Sequence, residues 1–111
     1  MANPSRRKGS DHEVKVLNFF RERGYDAERL VLAGKDDEGD LRVVIDGRHY
    51  VVEAKAEKAI DLSGYVREAR TEAANYARRR KLDGATPLVI IKKRNASIED
   101  AYVVQRLGDM W

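Results

Sequence analysis

Asp40, Glu53 and Lys55 are the side chains whose types and spacing could do chemistry together. Two carboxylates offer the hard oxygen ligands that Mg2+ prefers. That ion keeps several waters, so one or two carboxylates and a substrate phosphate complete its shell. Cutting a phosphodiester needs such a set, because negative charge grows on the phosphoryl oxygens and the leaving oxygen. A divalent cation offsets that charge and lowers the pKa of a bound water. The backbone carbonyl of Ala54, beside Glu53, would add one more oxygen. Lys55 would orient the nucleophile and offset charge, with a pKa depressed by metal and neighbours. The bland alternative for Glu53 and Lys55 is a surface ion pair. With no cysteine and only His12 and His49, a nucleophilic dyad has little to build on, and His49 reads as a surface residue.

One stretch must bring these residues together: GDLRVVIDGRHYVVEAK, from Gly39 to Lys55. Asp46-Gly47 between two β-branched runs signals a hairpin, because both residues tolerate the positive φ of a type I′ turn. Strand residues two apart share a face, so Glu53 and Lys55 project side by side. Pairing sets the start of the first strand against the end of the second, which brings Asp40 to the same edge. Val43, Val44, Ile45 and then Tyr50, Val51, Val52 are apolar on both faces, as in a sheet covered on two sides.

The remaining elements follow from periodicity and punctuation. Residues 1–8 read as a flexible basic arm carrying Arg6, Arg7 and Lys8, and residues 9–111 as a single domain. Ser10 with Glu13 is a capping-box pattern. It opens a helix that runs to about Arg23, stops at Gly24, and carries Val14, Val16, Leu17, Phe19 and Phe20 on its apolar face. On spacing alone Glu13, in register with Leu17 and Phe20, reads as a cap. Tyr25 to Ala33 is expected to be a strand and Gly34 to Gly39 an acid-rich turn. Gly64 to Leu82 is the longest helix, with Val66, Ala69, Ala73, Tyr76 and Ala77 on one stripe. It stops at Gly84, and Pro87 prevents its resumption. Leu88 to Lys92 and Ala101 to Leu107 complete a mixed β-sheet of about five strands flanked by helices, an α/β fold. Trp111 is expected to pack on a neighbouring surface, a subunit interface being one.

Composition narrows the partners. The chain has 111 residues, enough for one core. Its net charge is only +3, but Arg6 to Lys8, Arg78 to Lys81 and Lys92 to Arg94 concentrate the basic residues, which favours a polyanion. The absence of cysteine excludes thiolate zinc sites, disulfides and thiol catalysis. The aliphatic run Leu88 to Ile91 is too short to span a bilayer, and no apolar segment follows the basic N-terminus. A cytoplasmic or nucleoid-associated protein is expected, in the host cytoplasm if the source is viral.

Asp40 followed by Glu53-Ala54-Lys55 resembles the PD-(D/E)XK nuclease motif, with Gly39 where the motif has proline. Together with Arg7-Lys8-Gly9-Ser10-Asp11-His12-Glu13, Leu32-Ala33-Gly34 and Gly39-Asp40-Leu41, the pattern resembles archaeal-type Holliday junction resolvases. The likeness covers about the first half of the chain in sequence and most of it in element order. It implies a restriction-endonuclease-like sheet and makes Glu13 an acidic metal ligand beside Asp40, Glu53 and the Ala54 carbonyl. It implies Mg2+, replaceable by Mn2+, with Lys55 catalytic. Arg6, Arg7, Lys8 and Ser10 would contact DNA phosphates. The expected function is a homodimeric endonuclease cutting four-way DNA junctions in recombination and repair. Two alternatives stand beside it: a small nuclease of the same motif acting on linear duplex, flaps or ends, and a non-catalytic DNA-binding module of the same fold.

Overall fold

Strand pairing around Asp46-Gly47 organises the molecule. A computed structural model describes residues 4–31 and 37–111, with the backbone alone for residues 4–8. Both turn residues take positive φ, 52° and 79°. Leu41–Ile45 (β2) pairs antiparallel with Arg48–Lys55 (β3), from Ile45 opposite Arg48 to Leu41 opposite Val52. Asp26–Arg29 (β1) adds to β2 antiparallel, Thr86–Ile91 (β4) lies parallel to β3, and Tyr102–Val104 (β5) closes the far edge antiparallel. The sheet is mixed, in the order β1-β2-β3-β4-β5. A parallel neighbour requires a crossover, and Leu62–Arg79 (α2) makes it.

The strand alternation divides the core between two helices. Pro4–Glu22 (α1) lays Val16 and Leu17 against Ala27, Leu41, Val43, Val52, Leu88 and Ile90. The intervening strand residues turn the other way, so α2 sets Tyr65 and Ala69 on Val89 and Ile91, and Ala73 and Tyr76 on Val51. Full burial of one such aliphatic side chain stabilises by about 1.5–3 kcal/mol. The two-sided apolar pattern of the hairpin therefore has its predicted meaning.

Several element boundaries differ from the sequence-based expectation, each for a physical reason. The first helix begins at Pro4, not at Ser10. Proline at the first helical position carries a preset φ and lacks an amide that would be unpaired there anyway. Residues 4–8, expected in the arm, thus have helical backbone, and the Ser10–Glu13 pattern lies within the helix instead of capping it. The helix still ends at Gly24, which takes φ 82° while Tyr25 N–H donates to the Phe20 carbonyl. Val14 is exposed, and His12 takes its place on the buried side.

At the other helix, Lys81 and not Gly84 adopts the left-handed conformation that stops it. Lys81 has φ 55°, and Leu82 N–H reaches back 2.9 Å to the Ala77 carbonyl. Pro87 lies inside β4, where β5, which pairs only with Val89 to Ile91, leaves an open side. The first strand is four residues long and mostly exposed. Leu32 to Asp36, which were to end that strand and begin the acidic turn, lie outside the described residues. The last strand is shortened to Tyr102–Val104, between 3-10 turns at Ile98–Asp100 and Leu107–Asp109. Among the described residues no helix is long and apolar enough to cross a membrane.

Candidate metal and phosphodiester site

The end of the hairpin carries the candidate site. Asp40 stands just before β2, and its N–H donates to the Val52 carbonyl at 3.1 Å. Its carboxylate Oδ2 accepts the Ala54 N–H at 2.9 Å. The side chain thus serves as a ladder acceptor past the last backbone pair, fixing Asp40 against the Glu53-Ala54-Lys55 turn of sequence. Glu53 and Lys55 point to the same side of β3, as period two requires. That side faces α2, and Lys55 Nζ lies 3.4 Å from Glu53 Oε1.

The approach to Asp40 is held by α2. The Asn75 amide donates to the Asp37 carbonyl at 2.8 Å, and Gly39 N–H donates to Asp37 Oδ1 at 2.9 Å. Glu38 is buried and paired with Arg79 and Arg80, the latter over the Tyr76 ring. Part of the basic cluster at the end of α2 therefore anchors this loop. Gly39 has φ 96°, and a Cβ there would lie 2.8 Å from Val51 Cγ1 and 3.1 Å from Glu72 Oε2. Glycine in place of the motif proline lets the Asp40 turn close onto β3 and α2.

Two acids absent from the sequence-based reading belong to this site. Glu68 and Glu72 of α2 join Glu53, one carboxylate oxygen of each lying within 4.8 Å of the others. Lys55 Nζ bonds Glu68 Oε2 at 3.0 Å. Glu53 and Glu72 are 6% and 2% exposed, and the Oε2 atom of each is buried with no hydrogen-bond partner. The signal was legible: Glu72 lies three residues after Ala69 and four before Tyr76, on the apolar stripe of α2, where an acid has no reason to be unless something inside receives it.

Crowding of buried acids sets the electrostatics. Burial raises Glu53 to about 9, helped by the neighbouring Glu72 carboxyl and the charge of Glu68, against the pull of Lys55. Burial also raises Asp40 to about 8, with the charge of Glu53 adding to it, the Ala54 amide opposing it, and Glu13 contributing both charge and a hydrogen bond. Glu72 rises to about 7, again through burial first. For Lys55, burial alone would lower the pKa, but the Glu68 hydrogen bond and the charges of Glu53 and Glu68 outweigh it and raise it. This corrects the expectation of a depressed lysine: its ammonium is held charged by two carboxylates.

The remaining candidates are placed as follows. Glu13 reaches the site from α1 through its interaction with Asp40, and it also pairs with Arg29 of β1 at 2.8 Å, a partner missed from sequence. Ala54 lies between Glu53 and Lys55, its amide on Asp40. Ser10 is exposed on α1. The side chains of Arg6, Arg7 and Lys8 lie outside the described residues. His12 is buried with Nε2 3.0 Å from the Ile90 carbonyl, and burial lowers its pKa, so it ties α1 to β4 as a neutral ring. His49 Nδ1 lies 2.9 Å from the Tyr76 hydroxyl, half-buried and away from the acids.

An all-oxygen donor set with orphaned buried carboxylate oxygens fits a hard divalent cation, since buried charge otherwise demands a counter-charge or a proton. Residues 4–107 match a family model described as archaeal Holliday junction resolvase. Among solved structures the chain is similar to Hjc of Archaeoglobus fulgidus, a Holliday junction resolvase from an archaeal hyperthermophile. Identity is 20%, coverage 80% of this chain and 67% of that one, and the TM-score 0.55, a likeness of fold. No curated protein matches.

Proposed function

This chain belongs to the archaeal Holliday junction resolvase family, whose members are nucleases, and on that premise we propose a homodimeric, divalent-cation-dependent endonuclease that cuts four-way DNA junctions. The observation that carries the reading is the Asp40 carboxylate locked onto the Ala54 amide, beside a Glu53 oxygen that is buried and unpartnered. Glu13, Asp40, Glu53 and the Ala54 carbonyl would hold the cation, Mg2+ or Mn2+ in its place. When bound, the ion supplies positive charge to the scissile phosphate and eases deprotonation of the attacking water.

The protein's own groups do the rest. Ladder bonding and the α2 anchors position Asp40 before any substrate arrives, so no ordering cost falls on the reacting state. Lys55, charged between Glu53 and Glu68, offers its ammonium to the phosphate instead of acting as a base. Arg6, Arg7, Lys8 and Ser10 near the start of α1 would grip backbone phosphates, giving recognition by shape and charge with steep salt dependence. Two opposed cuts in a two-fold junction call for a C2 dimer. Exposed Tyr102 and Val103 on edge strand β5, with Leu107 and Trp111 nearby in sequence, offer apolar surface for a second copy.

The test is cleavage of a synthetic four-way junction beside its component duplexes, with Mg2+ and with chelator, and sedimentation of the free protein. Paired incisions in the junction alone, in Mg2+ alone, by a dimer are expected. Equal cutting of linear duplex would move the substrate to the broader nuclease class. Binding without cutting by the parent chain would reject catalysis.

A further inference from the structure

Resting on the proposed function, we propose that Glu53, Glu68 and Glu72 form a second divalent-cation position, on the α2 side of β3, beside the one proposed between Glu13, Asp40 and Glu53. Three observations carry it. The three carboxylates each bring an oxygen within 4.8 Å of the other two. Two of them are more than nine-tenths buried, and both Oε2 atoms lack any hydrogen-bond partner. Lys55 is the cation paired with this group, engaging Glu53 Oε1 at 3.4 Å and Glu68 Oε2 at 3.0 Å.

Fully ionised, the three carboxylates exceed the one ammonium by two negative charges, which a divalent ion would balance. Lys55 occupies Oε1 of Glu53 and leaves Oε2 free, so Glu53 can serve the lysine and an ion together. Glu68 has 43% of its side chain exposed, which keeps the group open to a hydrated ion. Oxygen-only ligands select Mg2+, Mn2+ or Ca2+ over softer metals. Glu72 Oε2 lies against Gly39, 3.1 Å from where a Cβ would be, so the second position borders the turn that carries Asp40. An ion held there would clamp α2 to the end of the hairpin through Glu53.

The experiment is a Mn2+ titration of the full chain without DNA, read by calorimetry and by the electron paramagnetic resonance of free Mn2+. Parent, Glu72→Gln, Glu68→Gln and Asp40→Asn are compared at one pH, with circular dichroism to verify folding. The parent should bind two ions per chain. Glu72→Gln should lose one or weaken it at least tenfold, the exposed Glu68→Gln should weaken the same event, and Asp40→Asn should keep it. Binding that Glu72→Gln and Glu68→Gln leave intact, or that Asp40→Asn abolishes altogether, overturns the proposal. Because the readout is binding, failure to cut junctions would count against the proposed function alone.

Discussion

The two faces of the sheet are built to opposite ends. Under α1 the buried strand positions are Ala27, Leu41, Val43, Val52, Leu88 and Ile90, and the buried His12 of the helix is tied to a carbonyl. Under α2 the apolar contacts split into two smaller clusters, one around Val89 and Ile91 and one around Val51. Glu53, Glu68 and Glu72 draw together on the same face, with two orphaned oxygens. The first arrangement gains free energy by removing apolar surface from water. The second gives some of that up to hold acids at the inner surface. Stability should therefore respond to changes on one face and cation chemistry to changes on the other.

The sharpest way to break this division is at the hairpin end. Asp40→Asn retains an oxygen that can accept the Ala54 amide, so the fold should hold. Junction cleavage in Mg2+ should fall roughly a thousandfold, the scale of several kcal/mol of lost charge stabilisation. Single-turnover rates beside junction-binding assays check this, and a variant that cuts like the parent would dissolve the assignment. On the opposite face, Leu41→Ala should cost about 2–5 kcal/mol in denaturant unfolding, since Leu41 is fully buried. Cleavage by the fraction that remains folded should persist.

A pH series sharpens the contrast. Asp40, Glu53 and Glu72 are raised to about 8, 9 and 7 by burial, so the folded chain binds more protons than the unfolded one above the ordinary carboxylate range. Stability in chelator should be greatest at acid pH and decline from the ordinary carboxylate range, about pH 4, up to about pH 9. Thermal melts at pH 5 and pH 9 measure the decline. Mg2+ should restore more stability at the higher pH, and Glu53→Gln should flatten the whole profile. A melt rising with pH would contradict the buried, uncompensated acids.

The smallest effect is expected at the rim. Arg29→Ala removes a half-exposed partner of Glu13, and such pairs are worth less than about 1 kcal/mol. Its unfolding midpoint should barely move. A loss like that of Leu41→Ala would make β1 a structural partner of α1 far beyond its short, exposed length.

Much of the site could be read before any coordinates. Asp46-Gly47 names its own turn, and alternation then obliges Glu53 and Lys55 to share a face and Asp40 to arrive beside them. Glu13 was harder, because its spacing fits a cap as well as a ligand, and only a family likeness tipped the balance. The helix start differs from its expectation because Ser10 and Glu13 satisfy a local rule that the turn begun at Pro4 overrides. Glu68 and Glu72 are masked by their neighbours, because Arg67, Arg70 and Arg78 to Lys81 make α2 read as a charged surface helix.

What the chain determined by itself is local: a hairpin whose two-residue period and left-handed turn follow from short-range sterics, and a carboxylate, a glutamate and a lysine delivered to one end of it. What only tertiary structure decided is the company they keep. The β3–α2–β4 crossover brings Glu68 and Glu72 onto Glu53, turns Lys55 into a doubly paired ammonium, and raises the neighbouring acids. Burial and Coulomb interaction act through space, and no reading along the chain specifies which distant charges will share a few ångströms of low dielectric.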